Sequence, residues 1–393
     1  MIVKNGMVFG EDRIFRKKDL YIARNRIVAD ENYISDSTVI DAEGLYVIPG
    51  LVDVHSHGAV GCDFSDGDPE GLQRILAYER AHGITAYCPT SMSLPGEQLL
   101  HVMESVRELG KICRQKAEGR TDALWIEDFP EKLARIGGIH MEGPFLDPDR
   151  RGAHKEEYLS GADLNFLEEC NTACGGLLRL VTVAPNAEGA LDLIQAIASK
   201  ALKETQTGRI HISLGHTAAD YETCSTAFAA GADHVTHLFN AMEPFHHREP
   251  GLIGAATDCP NCMVELIADG IHVHDSAIRA AFRLFADRVI LVSDSMRATG
   301  LGDGEYELGG QQVTVSGNKA VLSDGTIAGS VTNLFDCMRR AVAAGIPRET
   351  AIAAASANPA KSIGIYDQVG SLTPGKFADV LLVDEELELV RVI

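Results

Sequence analysis

The feature that most constrains this chain is an alternation of short apolar strands with amphipathic helical stretches, repeated eight times, the pattern of a parallel α/β architecture. The strands are LVDVHSHG from 51, ITAYCPTSM from 84, RIGGIHMEGPF from 135, LRLVTVAPN from 178, RIHISLGHT from 209, HVTHLFN from 234, MVELIADG from 263 and VILVSDSM from 289. Between them lie LQRILAYERAHG from 72, EGALDLIQAIASKALKE from 188 and DSAIRAAFRLFA from 275, among others, whose apolar residues recur at helical spacing. Eight successive βα units predict a closed (β/α)8 TIM barrel. An open doubly wound sheet seldom uses eight and carries a GxGxxG after an early strand, which is absent here.

The flanks read differently. Residues 1–50 are short alternating strands with turn signals at Asn5-Gly6 and Glu43-Gly44, and the closing VGSLTPGKFADVLLVDEELELVRVI is also β-like. The expectation is a small β-sandwich domain from residues 1–50 plus 361–393, with 51–360 left to the barrel. Segment 305–328 reads as hairpins inserted after the eighth strand, where barrels build active-site loops, and so as a lid or wall.

Charge and composition remove several classes of function. A net charge of −21, from 56 acidic and 35 basic residues, repels polyanions and argues against nucleic acid and anionic membrane surfaces as partners. Apolar runs are strand-sized, far short of the roughly 20 residues a membrane span needs. The opening MIVKNGMVFGEDRIFRK has no secretory pattern, so a cytoplasmic location is expected. Nine cysteines, an odd number, point to reduced thiols rather than a disulfide framework. Cys259 and Cys262 have CxxC spacing, but without a second pair or a thioredoxin-like setting they read as packing residues.

Metal-ligand residue types fall at the C-terminal ends of the predicted strands: His55 and His57 on the first, Glu142 on the third, His216 on the fifth, His237 on the sixth and Asp294 on the eighth. In a barrel those ends converge on one mouth. Strand alternation puts His55 and His57 on one face, so both imidazoles can hold one ion. A lone histidine is more often a packed or surface residue than a ligand, and only the coincidence of six positions carries the reading. Four histidines and two carboxylates exceed the three protein ligands of one catalytic zinc, which favours two ions. His55, His57 and Asp294 suit one, His216 and His237 the other, with Glu142 between them or on the second. His140 shares the inward face of Glu142 and belongs to the site or to packing behind it. His211, His234 and His274 read as structural, and His82 and His101 as helix residues without a function.

The strings GIHMEGPFL, RGAH, LGHT, THLFNAM, REPG, DGIHVH, SDS and IAGS occur in the order seen in the N-acetylglucosamine-6-phosphate deacetylases of the amidohydrolase superfamily, which the chain resembles over residues 53–330. DAEGLYVIPGLVDVHSHG and GSLTPGKFADVLLVD look like the opening and closing segments of many amidohydrolases. The resemblance implies metal-dependent hydrolysis of the N-acetyl group of N-acetylglucosamine-6-phosphate, giving glucosamine-6-phosphate and acetate in amino-sugar catabolism. It implies ligation by Glu142, His216 and His237, with Asp294 as the acid/base. Some members replace the first-strand His-x-His and bind one ion, whereas this chain keeps both histidines. Zn2+, Fe2+, Mn2+ and Co2+ all suit such ligands.

The same resemblance puts substrate contacts at Ala153 and His154, with His154 polarising the carbonyl, and at Asn240 and Ala241. Further contacts fall at Arg248, at Asp269, Gly270, Ile271 and His272, and at Ile327, Ala328 and Gly329. Arg248 suits a phosphate bidentately, with His247, Asn240 and His272 as added donors. In the family this arginine reaches in from the neighbouring subunit, which implies a homodimer. The alternatives are the galacto epimer as substrate, a cyclic-amide hydrolase, a deaminase, or a non-catalytic binding protein on this fold. Many cyclic-amide hydrolases use a carboxylated lysine on the fourth strand, and LRLVTVAPN has no lysine. A non-catalytic relative would be expected to lose ligands, and none of the six positions is lost.

Overall fold

The computed structural model describes residues 1–34, 38–116, 130, 132–199 and 209–393. Eight parallel strands form its centre: β1 (Leu51–Ser56), β2 (Ile84–Ser91), β3 (Ile139–Glu142), β4 (Leu178–Val183), β5 (His211–Leu214), β6 (His234–Val235), β7 (Met263–Ile267) and β8 (Val289–Val292). They pair in chain order from β1–β2 to β7–β8, and a short strand, Arg135–Ile136, adds to the start of β2. The circle closes where the Asp294 N–H donates to the His55 carbonyl at 2.9 Å and the His57 N–H to the Ser295 carbonyl at 2.8 Å. Three of the expected metal ligands therefore lie on the seam between first and last strand. The strands are buried along almost their whole length because helices cover the outer face and side chains fill the interior.

A helix follows each strand: α1 (Pro69–Ala81), α2 (Gly96–Lys116), α3 (Leu164–Ala173), α4 (Ala190–Ala198), α5 (Tyr221–Ala230), α6 (Gly251–Asp258), α7 (Asp275–Phe285) and α8 (Leu334–Ala343). Their starts follow local chemistry. Asp68 accepts the N–H groups of Glu70 and Gly71 with Pro69 at the first helical position, and Asp163 and Asn333 cap α3 and α8 in the same way. In α7, Ile278, Ala281, Phe282 and Phe285 form the buried stripe that the sequence spacing predicts. The predicted helix from 188 runs from Ala190 to Ala198, and its expected continuation through 200–204 lies outside the described residues. Strand β6 is shorter than HVTHLFN suggests, because His237 takes a φ of 28° and the chain leaves the extended conformation there.

The two chain ends pair as the sequence suggests. One sheet orders Leu389–Val392, Val380–Val383, Tyr46–Pro49, Met7–Phe9 and Phe15–Lys17, and the other Arg26–Val28, Leu20–Ala23, Ile2–Lys4 and Val39–Asp41. Val3, Val8, Leu20, Ile22, Val47, Val380 and Leu382 pack between them. Leu381 and Val383 point the other way, into the core cluster of the barrel, which is why VLLV is apolar on both faces. The inserted segment after β8 is a three-stranded antiparallel sheet, Gly304–Leu308, Gln311–Ser316 and Lys319–Val321. Its Leu308, Val313, Val315 and Ala320 pack on Met92, Ala153, Met296 and Ala328 at the barrel mouth. The eight described cysteines are all free, and the carbonyls of Cys259 and Cys262 accept hydrogen bonds from Arg288, so the CxxC is a pinned turn.

Candidate metal and substrate site

At the C-terminal ends of the strands, Glu142 stands at the centre of a ring of imidazoles. Its Oε1 lies 3.1 Å from His237 Nε2, 3.2 Å from His216 Nε2 and 3.5 Å from His55 Nε2, and its Oε2 lies 3.3 Å from the Nε2 atoms of His57 and His154. Asp294 Oδ1 is 3.5 Å from His55 Nε2 and 3.3 Å from His57 Nε2. All seven side chains are buried. His216, His237 and Asp294 have φ values of 48°, 28° and 49°, a left-handed conformation that costs L-residues about 1–3 kcal/mol each and aims their side chains back over the barrel axis.

The second nitrogen fixes the tautomer of three of these rings, while His237 Nδ1 has no hydrogen-bond partner among the described residues. His55 Nδ1 donates to Glu265 at 2.8 Å, His57 Nδ1 to the Thr90 carbonyl at 3.1 Å and His216 Nδ1 to the Arg150 carbonyl at 2.8 Å. A carbonyl or carboxylate only accepts, so each Nδ1 carries the hydrogen and each Nε2 presents a lone pair. Those lone pairs face carboxylate oxygens at 3.2–3.5 Å, an acceptor against an acceptor. His216 Nε2 and His237 Nε2 stand 3.0 Å apart. Such a cluster needs positive charge among its atoms. Ligand atoms about 2.0–2.2 Å from one tetrahedral ion lie about 3.3–3.6 Å from each other, so the donor set fits a divalent cation. The electrostatics show the same need for positive charge: against the effect of burial, Glu142 is held well below the usual carboxylate range and Asp294 at about 2 by the facing histidines, while Asp294 and Glu142 raise His57 to about 10, so without a cation its Nε2 takes up a proton in the cation's place.

His154 is of the opposite kind. Its Nδ1 accepts the backbone N–H of Ser93 at 3.1 Å and meets the Ser93 hydroxyl at 2.9 Å, while burial lowers its pKa to about 4. It is a neutral ring with its hydrogen on Nε2, a donor aimed into the site. Its donor atom lies within 4.8 Å of those of Glu142 and His216, but the tautomer makes it a hydrogen-bond donor and not a third ligand. Gly143 keeps this arrangement possible, because its φ is 80° and a Cβ there would stand 2.1 Å from Ser93 Oγ.

Beneath the ligands lies a second polar layer. His140 Nδ1 donates to the Val54 carbonyl at 3.1 Å and its Nε2 meets Thr182 Oγ1 at 2.8 Å. The chain continues from Thr182 to Thr236 at 2.8 Å, from Thr236 to Ser213 at 2.6 Å and from Ser213 to His234 Nδ1 at 3.2 Å. His140 therefore belongs behind the site. His211 pairs with Asp233, His274 caps α7, and His82 closes α1 on the Tyr78 carbonyl.

Above the ligands is a cavity of about 450 Å³. Of the expected contacts, Ala153, His154, Asn240, Ala241, His272, Ile327 and Gly329 line it. Ala328 is fully buried behind the wall, while Gly270 and Ile271 lie in a turn outside it. Asp269 accepts the His272 Nδ1–H at 2.7 Å and, against the effect of burial, keeps that histidine more basic than usual. His247 and Arg248 are exposed on a loop outside this cavity, with the guanidinium donating to His247 Nε2 at 2.8 Å.

Glu265 and Asp53 escaped the sequence reading. Asp53 accepts the N–H groups of His55 and Ser293 across the seam, and burial raises its pKa to about 7. Their one visible sign was a lone acid inside an apolar strand. Arg150 and Arg151, also unforeseen, line the cavity.

The sequence profile of the amidohydrolase family matches residues 46–391. An N-acetylglucosamine-6-phosphate deacetylase of Bacillus subtilis (strain 168) is 38% identical over 349 residues, covering 88% of this chain and 83% of that protein. An N-acetylgalactosamine-6-phosphate deacetylase of Escherichia coli O157:H7 is 32% identical over 374 residues, covering 95% and 92%. Among solved structures, an N-acetyl-D-glucosamine-6-phosphate deacetylase from Mycobacterium smegmatis is similar with a TM-score of 0.85 and 31% identity, over 100% of this chain and 98% of that one.

Proposed function

The chain belongs to the amidohydrolase family, and from that premise we propose that it hydrolyses the N-acetyl group of N-acetylglucosamine-6-phosphate to glucosamine-6-phosphate and acetate in amino-sugar catabolism. The observation that carries this reading is the pairing of two kinds of histidine around Glu142, ligand lone pairs on His55, His57 and His216 and a single N–H donor on His154.

His55, His57 and Asp294 would hold one ion, and His216 and His237 a second, with Glu142 between them or on the second. Zn2+, Fe2+, Mn2+ and Co2+ all suit these donors. Such cations supply Lewis acidity toward the amide carbonyl and lower the pKa of water at the site. Asp294 takes a proton from the attacking water as its oxygen adds to the carbonyl carbon. His154 Nε2–H hydrogen-bonds the carbonyl oxygen as negative charge builds there. Asp294 then gives its proton to the nitrogen as the C–N bond breaks and acetate leaves.

The phosphate goes to His272 and Asn240, and to Arg248 and His247 of a second copy of the chain. Their exposed loop carries Phe245, 52% exposed, which suits a surface that another copy covers. Free thiols at all eight described cysteines support a reducing, cytoplasmic setting. No helix among the described residues is long and apolar enough to cross a membrane.

Acetate release from N-acetylglucosamine-6-phosphate, beside the unphosphorylated sugar and the galacto epimer, tests the proposal. Release that needs the phosphate and stops with a chelator is expected. Faster release from the galacto epimer would move the substrate to that sugar, and no release by metal-loaded protein would overturn the deacetylase reading.

A further inference from the structure

Glu265 is a fully buried carboxylate in the middle of β7, outside the cavity wall, and its ion-pair partners among the described residues are the histidines His55 and His234. A buried anion needs specific partners. Its Oε2 accepts the His55 Nδ1–H at 2.8 Å and also the backbone N–H of His237 at 3.1 Å, while Oε1 faces His234 Nδ1 at 3.6 Å.

Two consequences follow for the ligands. The acceptor on Nδ1 forces the hydrogen of His55 away from Nε2, the atom that faces Glu142 and Asp294 and that has no hydrogen-bond partner among the described residues. A negative charge behind a ligating imidazole also raises its strength as a donor. The hydrogen bond to His237 meanwhile holds the backbone of a ligand whose φ is 28°. One oxygen atom therefore ties a ligand of the seam to a ligand of the opposite pair. His140, with its ring centroid 4.5 Å from that of His55, does not compete for this role, because both its nitrogens are bonded elsewhere.

We propose that Glu265 is a positioning residue for the metal centre: it makes His55 a ligand and thereby sets the affinity of the ion position formed with His57 and Asp294. This deepens the two-ion reading given above and rests on it.

The test measures Co2+ in wild type, Glu265→Gln, Glu265→Ala and His55→Ala. Ions per chain come from elemental analysis after dialysis, affinities from the visible absorption of a Co2+ titration, and folding from thermal melts. Glu265→Gln, which keeps an acceptor oxygen, should weaken the ion at His55 about 10- to 100-fold and leave the other unchanged, while Glu265→Ala should weaken the first as far as His55→Ala does and, by freeing the His237 backbone, weaken the second to a lesser extent. Wild-type affinities in both Glu265 variants, while His55→Ala loses its ion, would overturn the proposal. The wild-type count decides the two-ion reading separately. If wild type holds one ion, the comparison still decides: a weaker ion in the Glu265 variants supports the proposal and an equal one overturns it. Should the alanine variant fail to fold, the isosteric glutamine variant carries the test.

Discussion

Two layers of buried histidines sit one above the other in the same barrel, and they are satisfied in different ways. In the lower layer, each member of the chain from His140 through Thr182, Thr236 and Ser213 to His234 has a neighbour to give or receive a hydrogen. In the upper layer, the Nε2 lone pairs of His55, His57 and His216 meet carboxylate oxygens, and no rotation of side chains supplies a hydrogen between them. Burial is equal in both. His234 Nε2 also lacks a partner among the described residues, so what separates the layers is that the upper one sets several lone pairs against carboxylate oxygens at once.

Changes in the upper layer should therefore remove activity and spare the fold, and changes in the lower layer should do the reverse. The largest expected effect is that of Asp294→Asn, which should lower kcat by about 10³-fold or more while His216 and His237 still bind metal. Near-full activity in that variant would break the assignment of the proton carrier. His154→Gln should lower kcat by about 10²- to 10³-fold with metal content unchanged, and loss of metal instead would make His154 a ligand after all. Arg248→Ala should raise KM about 10- to 100-fold, the range for a charged hydrogen bond of about 1.5–3 kcal/mol. Mixing that variant with Asp294→Asn should restore activity if the arginine serves the partner's site, and separate cavities would give no recovery.

In the lower layer, Thr182→Val should cost about 1–3 kcal/mol of stability by stranding His140 and Thr236, with turnover per loaded site retained. Loss of turnover at full occupancy would erase the contrast between the layers. The smallest effect concerns Glu79, whose two buried oxygens have no hydrogen-bond partner among the described residues and whose pKa burial raises well above 4.5. The folded state keeps this proton when the unfolded chain has released it, so wild-type stability falls as pH rises above about 4.5. Glu79→Gln removes that dependence. Its gain in melting temperature should be near zero at pH 4 and grow toward pH 8.

The eight strands and the positions of His55, His57, Glu142, His216, His237 and Asp294 were legible because strand ends in a barrel share one mouth, so sequence position alone implies proximity. The lower layer was not, since Thr182, Ser213 and Thr236 look like ordinary β-formers until their hydroxyls are seen to face one another. Nor could spacing reveal that His154 presents the opposite tautomer, which depends on the backbone N–H of Ser93, 61 positions away. Glu265 was overlooked for a similar reason. Its meaning lies in a histidine 210 positions earlier. The galacto and gluco epimers differ at one hydroxyl, and no residue type signals that contact.

The seam of the barrel also orders events in time. His55 and Asp294 lie at opposite ends of the barrel sequence, and the hydrogen bonds that join β1 to β8 run through the residues that would share an ion. A ribosome emits β1 long before β8, so that ligand set has no complete form on the nascent chain until the last barrel strand has emerged. A metal ion taken up there would act as a clasp on a finished ring. Its loss would be felt first as fraying between the oldest and the youngest strand.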